Sequence, residues 1–248
     1  MSDLVLALVA GGVIGLTLGA LGGGGSVLAV PALIYLLGFT PVAATTASLV
    51  IVTVTSATAL SAHAREGYVQ WRTGLLFAAV GVGPAMVAGA VAGRLPPAVL
   101  TVAFAGVAAA ASIRMLRPRA SAPRAGQPRP GRAAGAGAGL GAVTGLLGVG
   151  GGFLAVPALV GVVGMRMRAA VGTSLLVITV NSLGALSLRA GTVDRLDWGV
   201  VGPFAGAAIL GAWDGKRLSA RLSGPSLQRA FAVVLLAVAA FMLADAVA

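Results

Sequence analysis

A ten-residue stretch, GGGGSVLAVP at Gly22–Pro31, returns 126 residues later as GVGGGFLAVP at Gly148–Pro157. Between 22–33 and 148–159, nine of twelve positions are identical. At the same offset and without a gap, Ala43–Ser61 and Ala169–Ser187 agree at ten of nineteen positions. Self-similarity of this length makes the chain a tandem duplication, so one half must fold much as the other does. Each half is organised around its glycine cluster.

The medium in which the halves fold follows from composition. The 248 residues are 58% hydrophobic and 9% charged, too apolar for a soluble domain of this size. Several apolar runs reach the length of about 20 helical residues that crosses a hydrocarbon layer. Alternating strand patterns of the barrel kind are absent, which leaves an all-α, polytopic helical membrane protein in contact with the lipid bilayer. The chain has no cysteine, so disulfides and thiolate metal sites are excluded. A net charge of +11 would suit nucleic acid, but the arginines fall at the ends of apolar runs, where topology signals sit. The N-terminus does not read as a signal peptide: it carries Asp3 instead of a basic start, and its apolar run continues into the glycine motif.

In chain order, Leu4–Leu21 predicts a helix, Gly22–Gly25 a break and Val27–Leu37 a half-helix. About twelve helical residues rise only about 18 Å, too little to span alone. Thr45–Ala62 predicts the next helix, with Ser48, Thr53, Thr55 and Ser56 within about half its circumference at 100° per residue. Ser174, Thr179, Asn181 and Ser182 form the same face in the second half. Two readings of these faces stand: interhelical hydrogen bonding, or the lining of a pathway. The segment His63–Arg72 reads as a loop, and its lone histidine as a surface or interfacial residue, with a proton relay as the weaker alternative. Trp71, Trp198 and Trp213 read as interfacial anchors. Gly74–Gly93 and Ala98–Met115 are two further helices joined by a turn at Pro96 and Pro97. In the first of them, Gly81, Gly89 and Gly93 point to close helix contacts.

Arg117–Arg132 changes character abruptly. RPRASAPRAGQPRPGR is rich in proline and arginine and poor in apolar bulk, and reads as a flexible linker. The division is therefore a first membrane repeat at 1–116, a linker at 117–132 and a second membrane repeat at 133–248. The second repeat follows the plan of the first: Ala133–Leu147, a break at Gly148–Gly152, the half-helix Phe153–Val163, then helices at Ala169–Leu188, Trp198–Trp213 and Leu227–Ala244.

Arginine placement orients the halves. If each glycine hairpin enters and leaves on one side, three crossings remain per half, and fourteen basic residues collect on one side against three on the other. Counting the hairpin as a single crossing makes the halves parallel and the split ten to seven. The positive-inside rule prefers the first arrangement. An odd number of crossings inverts the second half, with the linker in the cytoplasm and both termini outside. Inverted repeats with broken helices are the build of secondary transporters.

The glycine clusters do not read as nucleotide loops. No Lys-Ser/Thr pair follows either one, and the preceding strand and following acid of a dinucleotide fingerprint are missing. Glycine serves a helix break and close packing without any ligand. A half-helix that starts inside the bundle also presents unpaired N–H groups and a positive dipole end, which attract an anion. The candidate anion-binding set is Gly22, Gly24, Gly25 and Ser26 in the first cluster, and Gly148, Gly150, Gly151 and Gly152 in the second. Ser48, Thr55, Ser174 and Asn181 join them from the polar helix faces.

The duplicated glycine motif with its trailing Val-Pro, the serine- and threonine-bearing helix after it and the basic central segment resemble the sulfite exporter TauE/SafE family. The resemblance covers essentially the whole chain. Its motif falls on Gly22, Gly24, Gly25, Val30 and Pro31, and on Gly148, Gly150, Gly151, Val156 and Pro157. It implies a transporter for a small sulfur oxyanion such as sulfite or an organosulfonate. The first cluster ends in serine where the second ends in glycine, so the halves are not equivalent at the break. An anion channel on the same scaffold and a non-transporting membrane subunit are the alternatives. No enzyme is expected, because the apolar segments carry no paired carboxylates, metal-ligand cluster or nucleophile-base pair. No cofactor, metal or nucleic-acid partner is expected, and oligomeric state has no signature here.

Overall fold

The computed structural model describes residues 2–92, 96–116, 130–147, 152–187, 193 and 196–247. Among them, the regular structure is ten α-helices. The first half holds α1 (Ser2–Leu21), α2 (Gly24–Pro31), α3 (Pro41–Arg65), α4 (Trp71–Ala92) and α5 (Pro97–Leu116). The second holds α6 (Pro130–Leu147), α7 (Gly152–Ala158), α8 (Met167–Ser187), α9 (Trp198–Arg221) and α10 (Gly224–Val247). Among the described residues, α1, α3, α4, α8 and α10 are long and apolar enough to cross a membrane. The expected all-helical membrane fold is thus what the chain adopts. α6 begins at Pro130, inside the segment read as linker.

The duplication extends to irregular features. Pro31 lies inside α2 and Pro157 inside α7, and each helix widens into a π turn just beyond, at Ala32–Leu36 and Leu159–Val163. A proline cannot donate its backbone N–H and crowds the preceding turn, which a wider helical turn relieves. Each π turn is followed by a glycine with positive φ, Gly38 at 67° and Gly164 at 82°. Side chains are strained in that region and glycine is not.

Helix packing also follows the duplication, but across the halves. α1 packs along α9, and α6 packs along α4. A Cβ on Gly15 or Gly19 would fall on the backbone of Ala208 or Ala212. Likewise, a Cβ on Gly141 would fall on the backbone of Gly81. Backbones this close are possible only with glycine on the contact stripe, and dispersion and weak polar contacts then hold the helices in lipid. Contacts advance together, Gly11 with Phe204, Gly15 with Ala208 and Gly19 with Ala212, so α1 and α9 run parallel. The expectation of close contact at Gly81 holds; Gly93 lies outside the described residues.

The repeats are therefore interleaved. One buried cluster joins α1, α2, α3 and α9 through Ile14, Leu33, Ile51 and Phe204. A second joins α4 to α7 with α10 through Phe77, Leu140, Leu159 and Phe231. α8 contributes to both, and α3 packs against it where the two clusters meet.

Candidate transport site at the seam between the repeats

α3 and α8 occupy equivalent places in the two halves and pack against each other. Midway along both, the Ser56 and Thr179 hydroxyls lie 2.9 Å apart. Farther along, Arg168 near the start of α8 reaches Tyr68, just past the end of α3, at 3.5 Å. The C-terminal end of α3 thus meets the N-terminal end of α8, and the two helices run antiparallel. With Ser56 opposite Thr179, this direction places Thr53 level with Ser182, and Thr55 level with Val180 and Asn181. The six polar residues form a belt at one depth.

Most hydroxyls of these helices donate to a carbonyl of their own helix one turn back. Ser48 bonds Thr45, Ser56 bonds Thr53, Ser174 bonds Val171 and Thr179 bonds Leu175, at 2.8–3.2 Å. That is the ordinary way to satisfy a hydroxyl in an apolar medium. Thr53 and Thr55 depart from it. Their side chains are 8% and 1% exposed, and neither hydroxyl has a hydrogen-bond partner. The Asn181 Oδ1 is also buried without a partner. Thr55 and Asn181 are equivalent positions in the two repeats, so both halves leave a polar atom unsatisfied at the same level. A buried polar group without a partner costs about 1–3 kcal/mol, and three at one depth mark a place suited to receive a polar guest.

The first glycine break abuts this seam from one side. Gly22 has φ 70°, and a Cβ there would lie 2.5 Å from the Ser174 Oγ and 3.4 Å from a Val156 methyl. Two candidates from opposite repeats, Gly22 and Ser174, are therefore brought together. The break is shorter than expected: Gly22 and Gly23 alone are non-helical, and Gly24 and Gly25 open α2. A Cβ on Gly25 would meet the backbone of Leu18 and Ile14, so this glycine lets α2 pack on α1. The Ser26 hydroxyl donates to the Gly23 carbonyl at 2.7 Å. The break also lies nearer one end than the middle. Ser174 is five residues from Thr179, about 7.5 Å along the helix. Ser48 lies farther along α3, toward the opposite end. Gly148, Gly150 and Gly151 lie outside the described residues, and Gly152 is the first residue of α7.

The end of the seam near Gly22 is closed by polar contacts that the sequence reading missed. Lys216 of α9 forms an ion pair with Glu66, beyond α3. Arg168 donates to the Ala220 and Leu222 carbonyls at 3.2 and 3.1 Å, satisfying the last turn of α9, where a cation also suits the helix dipole. The Gln70 N–H donates to the Thr173 hydroxyl at 3.1 Å. Each contact but the α9 cap ties the 66–70 turn of the first repeat to the second. Arg168 and Lys216 counted only as topology charges in the sequence, because nothing local announces a partner in the other half.

His63 corrects the sequence expectation. It lies in the last turn of α3, not in a loop, and is 3% exposed. Its Nδ1 is 3.0 Å from the Ala59 carbonyl. α3 runs on to Arg65, and the start of α8 and end of α9 cover the ring. His63, Glu66, Tyr68, Arg168 and Ser219 surround a cavity of about 20 Å³, room for about one water. Trp71 and Trp198 open α4 and α9 and are half exposed, as interfacial anchors would be. Trp213 lies within α9, which continues to Arg221.

Similarity to known proteins agrees with this architecture. Residues 7–242 match the family described as sulfite exporter TauE/SafE. A protein named "Probable membrane transporter protein" from Xylella fastidiosa strain Temecula1 / ATCC 700964 is 35% identical, over 98% of this chain and 96% of that protein. One of the same name from strain 9a5c is 34% identical over the same shares. With a whole-length family match and the duplicated glycine motif at the seam, the chain belongs to the TauE/SafE sulfite exporter family of membrane transporters.

Proposed function

We propose that the protein carries a small sulfur oxyanion, such as sulfite or an organosulfonate, out of the cell by alternating access. The observation that carries the reading is the belt of unsatisfied polar atoms, Thr53, Thr55 and Asn181, at mid-depth between equivalent helices. A guest bound there would be held by neutral groups from both repeats. The α2 N-terminus, at Gly24 and Gly25, would present its positive dipole end along the entry path. Gly148, Gly150, Gly151 and Gly152 would do the same from the second half, and Ser48 and Ser174 would flank the route.

The antiparallel course of α3 and α8 supports an inverted arrangement of the repeats in the cell membrane. With basic residues inside, the segment 117–132 is cytoplasmic and both termini are outside. The end closed by Glu66, Arg168 and Lys216 is then the cytoplasmic one. An anion leaving a cell that is negative inside moves downhill electrically, by about 2.3 kcal/mol per charge per 100 mV. Residues 4–62 hold no Asp or Glu that could carry a proton in obligatory coupling.

The experiment is sulfite efflux from oriented proteoliposomes with voltage and pH gradient set independently. An inside-negative voltage alone should speed efflux, with saturation and with stimulation by substrate on the far side. Movement that responds to the pH gradient and ignores voltage would refute voltage-driven export. Flux without saturation or trans-stimulation would identify a channel instead.

A further inference from the structure

We infer that the α3/α8 seam admits singly charged oxyanions and rejects doubly charged ones, so that the form of sulfite carried is hydrogen sulfite. The inference rests on the transport reading above and concerns which protonation state the same site takes.

The argument begins with charge around the seam. Residues 4–62, 133–165 and 169–188 contain no Asp, Glu, Lys or Arg, which covers α2, α7 and nearly all of α1, α3, α6 and α8. Of the helices packed on the seam, α4 is free of these residues from Thr73 to Ala92, α9 from Trp198 to Trp213 and α10 from Ala230 to Ala244. The ionisable side chains nearest along the chain are His63, Glu66, Tyr68, Arg168 and Lys216, gathered at one end. His63 is seven residues from Ser56, about 10 Å along α3. No fixed cation therefore faces the belt from any helix packed on it.

The energetic consequence depends steeply on the guest's charge. The cost of moving an ion from water into a low-dielectric interior grows with the square of its charge. A few neutral donors can hold a single charge, as helix termini and hydroxyls do elsewhere. The Thr53 and Thr55 hydroxyls are such donors, and both are free to give their protons to an anion. A second charge would bring four times the solvation cost and find no further partner.

The third unsatisfied atom points the same way. Asn181 Oδ1 is an acceptor, and it needs a donor. Hydrogen sulfite retains a proton to give, whereas the fully ionised form has none. Sulfite exchanges its second proton near neutral pH, so both forms are present under ordinary conditions. Two free donors and one free acceptor match an oxyanion with unprotonated oxygens and one proton.

The test uses the full-length purified protein in proteoliposomes, with labelled sulfite flux measured above that of protein-free vesicles from about pH 6.5 to about pH 8.5. At fixed, subsaturating total sulfite, initial flux should fall about tenfold per pH unit once the second proton is lost. Methanesulfonate, singly charged throughout, should inhibit equally at each pH, and sulfate should inhibit at least about a hundredfold more weakly, a gap of about 2.7 kcal/mol. His63 is the one histidine, so the His63→Gln variant must keep the same slope. Flux that is flat or rises with pH overturns the inference, as does sulfate inhibiting as well as methanesulfonate. A slope that disappears in His63→Gln assigns the proton to the protein and overturns it too. If no saturable sulfite flux occurs at any pH, the transport reading itself fails, an outcome distinct from saturable flux with the wrong pH dependence.

Discussion

The hydroxyls of Ser56 and Thr179 are 2.9 Å apart on antiparallel helices that hold equivalent places in the two repeats. The bond joins the halves at mid-depth, where a moving guest would have to part them. Each hydroxyl also donates or can donate to its own helix, so the bond's net worth is small, about 0.6 kcal/mol for such pairs in membrane proteins. A double-mutant cycle with Ser56→Ala and Thr179→Val, read by unfolding in mixed micelles, should give a coupling of about that size. A coupling above about 2 kcal/mol would make the seam a rigid joint and argue against its opening.

Thr55→Val separates a binding role from a packing role. Valine keeps the shape and removes a hydroxyl that has no partner in the folded protein. If the hydroxyl serves stability alone, the variant should lose stability. We expect it to be as stable as the parent or up to about 1 kcal/mol more so, because an unsatisfied buried polar group is gone. Sulfite flux should nevertheless fall at least about tenfold, the value of one charge-assisted hydrogen bond. Reduced stability with normal flux would remove Thr55 from the site.

Gly22→Ala combines two costs that a second substitution can divide. Positive φ costs a side chain about 1–2 kcal/mol, and the new methyl would also press on the Ser174 hydroxyl. The double variant Gly22→Ala, Ser174→Ala should recover the steric share and not the backbone share. Thermal unfolding of all three variants in detergent checks this. Equal losses with and without Ser174 would mean that the two residues do not touch.

Glu66 and Lys216 are 40% and 23% exposed, so their ion pair should add no more than about 1 kcal/mol. Its expected importance is positional. The chain lacks cysteine, so Glu66→Cys with Lys216→Cys gives a unique pair that oxidation or a short bifunctional reagent can join. Joined, the protein should lose most sulfite flux and regain it on reduction. A joined protein with full flux would show that this end does not open during transport.

Ser121 tests orientation. The Ser121→Cys variant should resist an impermeant thiol reagent added to whole cells and react after the membrane is permeabilised, while Ser2→Cys reacts from outside. Equal labelling of both in intact cells would reverse the assignment made from the arginines.

Periodicity and self-similarity carried the local features: helical membrane segments, a break at Gly22, half-helices ending in matched prolines, and a hydroxyl-bearing face on the third helix of each half. These depend on residues near one another in the chain, and a helix's own turn decides which side chains share a face. The partners of those faces were decided only in three dimensions. In water, an apolar stripe marks the buried side of a helix; in lipid, the outward face is as apolar as the inward one. Val5, Val9 and Val13 of α1 are exposed while Ala7, Ala10 and Ile14 are buried, and their chemistry does not distinguish them. The pairing of α1 with α9 instead of a helix of its own half was therefore not readable. Nor could sequence show that Ser56 bonds across the seam while Thr53 and Thr55 bond nothing. That difference depends on how α3 is rotated against α8, which backbone contact at the glycines sets and no local pattern records.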